Sequence, residues 1–267
     1  MSILSNFVFP PPPSIFTSAM SMFFLTGMAI SGVFEIVGRN LRYSKFMDVG
    51  DGDRAEKQIR ISSKTGMLFI YAPAMTYAAA TPFLFFGLVD GSRGLLVTAA
   101  LAIHFAKRVY EVLFVHRYSG QIFLDSAFSI SLSYFLSTVT TIYAQRLTQN
   151  MPEPAIDLKY AGVLIFLLGI SGNFYHHYLL SKLRLKGEKV YKIPKGGLFE
   201  LVVCPHYLFE IIGFIGISLI SQTVYSFSFT LGTAIYLIGR SCATRQWYLN
   251  KFDDFSRNAK ALIPYLI

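Results

Sequence analysis

Long apolar runs separated by short polar segments dominate this chain. Seven runs are close to or above the length of about 20 residues that an α-helix needs to cross a bilayer. They cover residues 14–37, 66–89, 94–116, 121–145, 159–180, 198–221 and 223–247. The pattern predicts an all-α membrane protein, a bundle of about seven transmembrane helices that we number one to seven in chain order. A hydrophobic content of 53% supports this prediction over a soluble domain.

Basic residues are distributed unevenly between these runs. If the N-terminus is lumenal, most of them share one side of the membrane, and the opposite side keeps only Arg93, Arg146 and Lys159. The positive-inside rule therefore predicts a lumenal N-terminus and a cytosolic C-terminus. The net charge of +9 is then explained by orientation and by attraction to anionic headgroups or a phosphorylated cofactor. Nucleic-acid binding is not expected.

Polar side chains recur at helical spacing on three of the predicted helices. On helix three, His104, Arg108 and Glu111 follow at intervals of four and three, which places them on one face. Two interpretations stay open for this face: an ion-pair cluster at the cytosolic headgroups, or a surface that faces a cofactor. Helices five and seven carry comparable faces, formed by Asn173, His177, Ser181 and Arg184 and by Arg240, Thr244 and Tyr248.

A paired His176 and His177 raises the question of a metal site. Adjacent residues on a helix point about 100° apart, and no carboxylate or cysteine follows three or four residues later. The sequence therefore predicts no metal centre. Glu35, near the end of helix one, is expected at the membrane interface.

The segment from residue 191 to 210 concentrates polar groups in an apolar context. Glu200, Tyr207 and Glu210 are seven and three residues apart and share a face of predicted helix six, with His206 one position away. Pro205 is expected to open this helix by removing a backbone donor and freeing the carbonyl of Leu201. Polar groups in a membrane helix are costly unless they face a cavity or a partner. The segment is therefore the first candidate for a functional site.

Three stretches carry a family resemblance. YKIPKGGLF at 191–199, CPHYLFE at 204–210 and WYLNKF…ALIPYLI within 247–267 together resemble the steroid 5α-reductase family. HFAKRVYEVLFVHRYSG at 104–120 is more similar to very-long-chain trans-2-enoyl-CoA reductases. The resemblance covers residues 94–267. It implies a single integral-membrane reductase domain over 1–267, with variable helices in 1–93 and the cofactor-binding and catalytic helices in 94–267.

Both families imply one reaction. NADPH delivers a hydride to the β-carbon of a C=C bond conjugated to a carbonyl, while an acid stabilises the carbonyl oxygen. By resemblance, Tyr207 is the proton donor, and Arg184 and Arg240 hold phosphates. Glu210 binds the nicotinamide amide. The remaining residues assigned to the NADPH site by the same resemblance are Asn173, His177, Tyr191, His206 and Tyr248.

The chain also departs from the steroid enzymes. They place a carboxylate in helix two to polarise the 3-oxo group, where this chain offers Tyr71, and the helix-three tyrosine that pairs with that carboxylate is replaced by Phe105. Tyr71 is therefore the second catalytic candidate. The expected substrate is a lipid enone, first a 3-oxo-Δ4 steroid and alternatively a very-long-chain 2-enoyl-CoA.

The resemblance leaves open an alternative activity and implies a location and candidate partners. A membrane methyltransferase of the isoprenylcysteine type is a further alternative, because those enzymes share a related Pro-x-Tyr-x-x-Glu helix. The resemblance implies a multi-pass protein of the endoplasmic reticulum membrane. It also makes other lipid-elongation or sterol enzymes candidate partners.

Overall fold

Seven α-helices account for most of the chain that the structure describes. The structure, a computed structural model, describes residues 6–41, 44–46, 59–85, 87–183 and 190–267. The helices within these ranges are α1 Ile15–Ile36, α2 Ser63–Leu84, α3 Gly91–Tyr110, α4 Leu124–Arg146, α5 Lys159–Lys182, α6 Pro205–Ser221 and α7 Val224–Lys251. Short 3₁₀ segments cover Ser44–Phe46 and Gly197–Glu200, and one π-helical turn, Glu111–Val115, follows α3 directly.

Four of these helices, α1, α2, α4 and α5, are long and apolar enough to cross a membrane by length and composition. This confirms the prediction of a mainly helical membrane protein. Helix α6 is apolar but shorter. Helices α3 and α7 contain several cationic residues, among them Arg108 and Arg240, which lowers their mean hydropathy.

Two short β-strands were not predicted from the sequence. Strand β1, Arg60–Ser62, pairs antiparallel with β2, Gln121–Phe123, and Ile61 faces Ile122 in the register. Three residues are too few for an alternating pattern to be recognised. The pair joins the start of α2 to the start of α4, because each strand runs directly into its helix.

The helices pack in two tight pairs, α1 with α7 and α5 with α6. Glycines permit the close approach. A Cβ atom on Gly239 of α7 would lie 2.2 Å from the carbonyl oxygen of Gly32 in α1, and one on Gly169 of α5 would lie 2.3 Å from the backbone nitrogen of Gly213 in α6. Small residues at membrane helix interfaces commonly allow such backbone contact. Helices α2, α3 and α4 form the third group, with α2 between the other two.

The start of α6 differs from the sequence prediction. Pro205 is the first residue of the helix and does not interrupt it, because a fixed φ and a missing N–H suit that position. The carbonyl of Leu201 accepts a hydrogen bond from the Lys260 amide at 2.9 Å. Glu200 lies in the preceding 3₁₀ turn, where its carboxylate accepts from the Gly196 amide at 2.8 Å. The prediction that Glu200 shares a helical face with Tyr207 and Glu210 was therefore wrong.

A network of polar contacts around the buried Arg93 stabilises the end of the bundle where α6 ends and α7 begins. Arg93 donates to the carbonyl of Ile220 at 2.6 Å and to the side-chain oxygen of Gln222 at 2.9 Å, and it forms ion pairs with Glu153 and Asp157. Burial alone would raise the pKa of Asp157, but hydrogen bonds from Lys159 and Arg93 outweigh it and lower the pKa to about 2. A cavity lies at the opposite end of the bundle.

Candidate functional site

Two connected chambers open at the end of the bundle where α3, α5 and α7 finish and α2 and α6 begin. We call the larger one, of about 790 Å³, the α2 chamber, and the smaller one, of about 260 Å³, the α7 chamber. Their shared wall includes His116, Tyr118, Tyr191, His206 and Tyr207. The α2 chamber alone falls within the size range of about 300–1,000 Å³ that is usual for small-molecule sites.

The α7 chamber combines cations with tyrosines. Its polar wall includes Lys45, Arg117, Lys192, Arg240 and Thr244, together with Tyr191 and Tyr248. The ammonium of Lys45 lies 4.7 Å from the centre of the Tyr248 ring. Tyr248 stacks on Phe255, with ring centres 5.3 Å apart. Such a wall suits a ligand that carries both negative charge and an aromatic ring.

Arg240 is paired with Glu35, which corrects the expectation that Glu35 is interfacial. Glu35 is 1% exposed and Arg240 is 2% exposed. Nη1 of Arg240 donates to both carboxylate oxygens of Glu35 at 2.9 Å. The guanidinium also lies 4.1 Å from the centre of the Phe46 ring. The close α1–α7 packing brings the two residues together. An anion that binds Arg240 would therefore contact a guanidinium that already pairs with the Glu35 carboxylate.

The α2 chamber has Tyr71 on its α2 wall, next to Arg108 of α3. Nη2 of Arg108 donates a short hydrogen bond to the Tyr71 hydroxyl oxygen. The same guanidinium lies 4.7 Å from the centre of the Tyr71 ring. The apolar part of the wall is formed by residues such as Met67, Ile70, Ile130 and Leu237. A lipid with one polar end fits this combination.

Glu111, the first residue of the π-helical turn, is the centre of a buried ion cluster. Its carboxylate is 2.9 Å from Lys107 Nζ, 3.1 Å from Arg108 Nη1 and 3.0 Å from His177 Nδ1. Its side chain is 0% exposed. Of the two interpretations of the helix-three face, the headgroup cluster is therefore wrong, because this face points inward against α5. His104, the third member of that face, packs against Phe214 instead.

The His177 ring contacts both charged groups of this cluster. Its Nδ1 lies 3.0 Å from Glu111 Oε1 and 3.1 Å from Arg108 Nη1, and its Nε2 lies 3.3 Å from the same Arg108 nitrogen. Glu111, His116 and His177 could each offer a metal ligand, since their ligand atoms lie within 4.8 Å of one another. Lys107 and Arg108 already bind this carboxylate, and their charges would repel a cation. The cluster therefore suits an organic ligand better than a metal.

Glu210 of α6 lines the α2 chamber, and Asn173 of α5 lies behind it. Nδ2 of Asn173 donates to the His206 carbonyl at 2.7 Å and to Glu210 at 3.5 Å, while its Oδ1 accepts a short bond from Lys107. Asn173 is buried and is not part of either chamber wall. It orients Glu210 in this structure, whereas the sequence predicted that it contacts the cofactor.

Tyr207 lies where the two chambers meet, beside His206. The two rings have centres 4.3 Å apart, and the His206 ring is 5.4 Å from that of His177. Two nitrogens on the α2 chamber wall are buried and have no hydrogen-bond partner in the described part of the chain: Nδ1 of His206 and Nε of Arg108. Unsatisfied buried donors in a cavity wall usually mean that a ligand or water completes them.

The loop after the π-helical turn contributes to both chambers. Burial lowers the pKa of His116 to about 4, and the nearby Arg108 acts in the same direction. Burial also raises the pKa of Tyr118 far above its ordinary value. His116 is therefore neutral at physiological pH, and the Tyr118 hydroxyl keeps its proton.

The structure brings most of the sequence-predicted site residues to these chambers. Of the cofactor residues, His177 and Glu210 line the α2 chamber, Arg240 and Tyr248 line the α7 chamber, and Tyr191 and His206 line both. Arg184 lies outside the described residues. Both catalytic candidates, Tyr71 and Tyr207, line the α2 chamber.

Sequence reasoning missed Lys45, Arg117, Tyr118 and Glu35. Lys45 lies in a 3₁₀ segment of three residues, and Arg117 and Tyr118 lie in a loop, so no helical period marks an inward face at these positions. Glu35 carried a signal, a lone carboxylate in an apolar run, which normally indicates a buried partner.

Comparisons with known proteins point to one family. The family model described as 3-oxo-5-alpha-steroid 4-dehydrogenase matches residues 117–267, which is more than half of the chain. The chain is similar to a very-long-chain enoyl-CoA reductase of Dictyostelium discoideum, with 34% identity over 171 residues, 62% of this chain and 56% of that protein. It is also similar to the steroid 5-alpha-reductase DET2 of Gossypium hirsutum, with 44% identity over 107 residues, 40% of this chain and 42% of that protein.

A third relative is the 3-oxo-5-alpha-steroid 4-dehydrogenase 2 of Rattus norvegicus, with 38% identity over 111 residues, 41% of this chain and 44% of that protein. In these alignments the chain spans about half the length of the curated relatives that it matches. The matched family region contains α4 to α7 and most of the two chamber walls.

Proposed function

Because the chain belongs to the 3-oxo-5-alpha-steroid 4-dehydrogenase family, we propose that it reduces a carbonyl-conjugated C=C bond in a lipid, with NADPH as the reductant. The first candidate substrate is a 3-oxo-Δ4 steroid. One observation carries the proposal: a chamber rich in cations shares a wall, which includes Tyr207, with a larger chamber in which apolar residues such as Ile70 and the phenol of Tyr71 stand among other polar groups. A charged cofactor and an apolar substrate would meet at that junction.

The residues present fit NADPH by the chemistry of their donors. Phosphates need cations, which Lys45, Arg117, Lys192 and Arg240 supply in the α7 chamber. A nicotinamide carboxamide offers N–H donors and an oxygen acceptor. Glu210, a buried carboxylate with one long hydrogen bond from Asn173, suits the donors.

These groups would hold the cofactor in a defined order. Arg240 would bind phosphate, with Tyr191 and Tyr248 beside it as aromatic surfaces. Glu210 would bind the carboxamide, held by Asn173. His177 and His206 would line the wall between the phosphate end and the nicotinamide end of the cofactor. Arg184 is assigned to a phosphate by the family resemblance alone.

When bound, NADPH supplies the hydride that adds to the β-carbon of the substrate. The chain supplies the other half of the chemistry. Tyr207 gives its hydroxyl proton to the substrate carbonyl oxygen, so that the electrons displaced from the C=C bond end in a neutral enol. Tyr71 donates a hydrogen bond to the same oxygen, and the charge of Arg108 favours negative charge there. The enol then gains a proton from water at the α-carbon and returns its hydroxyl proton to the Tyr207 phenolate.

A second candidate substrate is a very-long-chain 2-enoyl-CoA. Similarity to the Dictyostelium discoideum protein of that name favours it, with 34% identity over 62% of this chain. The absence of a carboxylate on α2 favours it as well, because within Ser63–Leu84 the only charged residue is Lys64. The polar groups that α2 offers the chamber wall are the hydroxyls of Ser63 and Tyr71.

We further propose that all seven helices span the endoplasmic reticulum membrane, with a lumenal N-terminus and the two chambers on the cytosolic side. The concentration of basic residues at the chamber end supports this orientation. Lipid-elongation or sterol enzymes acting before or after this reaction are the corresponding candidate partners.

Activity of the purified protein in detergent tests the proposal. NADPH oxidation is measured with 3-oxo-Δ4 steroids and with 2-enoyl-CoAs, and the faster class identifies the substrate. Tyr207→Phe removes the proton donor, so kcat should fall by about 10²-fold or more while the NADPH Kd changes little. Tyr160→Phe, an exposed phenol at the start of α5, is the matched control and should keep wild-type activity.

Two outcomes would contradict the assignment. Full kcat in Tyr207→Phe would remove the role of Tyr207. Binding of S-adenosylmethionine in place of NADPH, measured by calorimetry, would replace reduction with methyl transfer as the proposed function.

A further inference from the structure

A planar guanidinium joins a buried carboxylate to a candidate catalytic phenol. Arg108 uses two different nitrogens: Nη1 donates to Glu111 at 3.1 Å, and Nη2 donates to the Tyr71 hydroxyl oxygen. Because the fork is rigid, fixing one nitrogen fixes the direction of the other. The position of the Arg108–Tyr71 hydrogen bond therefore depends on Glu111.

The backbone around Glu111 is unusual at the same point. Helix α3 ends at Tyr110, and the chain continues in a single π-helical turn, Glu111–Val115. Such turns are rare and occur mostly at functional sites. The turn places Glu111 against α5, where His177 adds a third hydrogen bond to its carboxylate. Glu111 has no contact with either chamber, so it acts through the residues that it holds.

We propose that Glu111 is a positioning residue for the reduction: it holds Arg108 so that the Tyr71 hydroxyl points at the substrate carbonyl oxygen. The proposal rests on the proposed function. No bond changes at Glu111, Arg108 or Tyr71. The hydrogen bond from Tyr71 strengthens as negative charge grows on that oxygen, while the proton itself comes from Tyr207.

A purely structural role for Glu111 makes a different prediction. A structural ion pair would stabilise the fold whatever stands at position 71. A positioning role acts through the Tyr71 hydroxyl. In a protein that lacks this hydroxyl, substitution of Glu111 should therefore have little effect on kcat. A double-mutant cycle on kcat separates the two.

The experiment compares Glu111→Gln, Tyr71→Phe and the double variant, using NADPH oxidation with the substrate class that the wild type reduces. Glu111→Gln keeps the shape of the side chain and removes its charge. We expect kcat to fall by about 10²-fold in Glu111→Gln, because a small displacement of a catalytic group has an effect of that size. In the Tyr71→Phe background the same substitution should change kcat by less than about twofold.

Two further variants sharpen the test. Arg108→Lys keeps the charge but loses the fork, so it should lower kcat about as much as Glu111→Gln. Glu153→Gln removes a carboxylate from Arg93 at the other end of the bundle and should leave kcat unchanged. The NADPH Kd and the thermal unfolding midpoint, measured for each variant, show whether the variant is folded.

The outcomes are distinguishable. An equal loss of kcat in both backgrounds overturns the positioning role and leaves the proposed function standing. A Glu111→Gln protein that no longer unfolds cooperatively assigns Glu111 to the fold and also overturns the positioning role. A folded wild type that binds NADPH but reduces neither substrate class overturns the proposed function, and the positioning role with it.

Discussion

Single residues in this protein take their roles from partners that are distant in the chain. Glu35 and Arg240 are 205 positions apart and form a buried pair. Glu111 gathers Lys107, Arg108 and His177 at one carboxylate. In both cases a charge that is costly in an apolar setting is retained next to the chambers. Charge pairs of this kind are typical of sites that bind charged ligands.

The Glu35–Arg240 pair predicts a coupling between NADPH and stability. Glu35→Gln removes the carboxylate that pairs with the buried Arg240, which should destabilise the fold by about 3–5 kcal/mol. A bound phosphate restores the missing charge, so NADPH should raise the unfolding temperature more in Glu35→Gln than in the wild type. Thermal unfolding with and without NADPH measures both effects.

Glu153→Gln serves as the control, because its partner Arg93 lies at the far end of the bundle. Its NADPH-dependent increase should equal that of the wild type. An increase no larger in Glu35→Gln than in the wild type would show that Arg240 does not bind the phosphates.

At the scale of the residue, the sequence predicted which side chains line the chambers better than it predicted what they contact. The helical spacing of Arg240, Thr244 and Tyr248 correctly predicted a shared face, because one turn of helix sets that spacing. The pairing of Arg240 with Glu35 depends on how α1 packs on α7. The residues next to Arg240 and Glu35 in the sequence do not indicate this pairing.

At the scale of the element, the apolar runs predicted the positions of the seven helices, with end errors of several residues. The largest error is at α6, predicted from residue 198 and found from Pro205. The run 198–204 is apolar, so hydropathy alone extends the helix through it. Pro205 marks the true start. The residues before it form the 3₁₀ turn Gly197–Glu200, after which the Val203 amide donates to the carbonyl of Lys260 at 2.8 Å.

The proposed orientation of the helices predicts which loops face the cytosol. Cysteines are introduced at Lys251, at the end of α7, and at Asn150, between α4 and α5, in sealed vesicles with the cytosolic face outside. A membrane-impermeant maleimide should label Lys251→Cys without detergent and Asn150→Cys only after detergent, because an odd number of spans separates them. Both positions are exposed in the structure.

The parent protein is the labelling control, since Cys204 is buried and Cys242 is partly buried. Labelling of both introduced cysteines from the same side would contradict the seven-span topology.

At the scale of the whole molecule, the site exists because three helix groups meet at one end of the bundle. The α1–α7 and α5–α6 pairs carry Arg240 and Glu210, and the α2–α3–α4 group carries Tyr71 and Arg108. The other cations of the α7 chamber come from the segments between helices. The sequence predicted the contributing residues and a cavity beside α6. It did not predict two chambers or Tyr207 at their junction, because these follow from the packing of all three groups.

In the proposed reaction, hydride passes from NADPH to the β-carbon of a lipid enone at the junction of the two chambers. The most direct measurement follows deuterium from NADPH labelled at the nicotinamide C4 into the product, by mass spectrometry and NMR. We expect one deuterium at the β-carbon with the wild type and little product with Tyr207→Phe. Deuterium at another carbon, or NADPH oxidation without a labelled product, would contradict it.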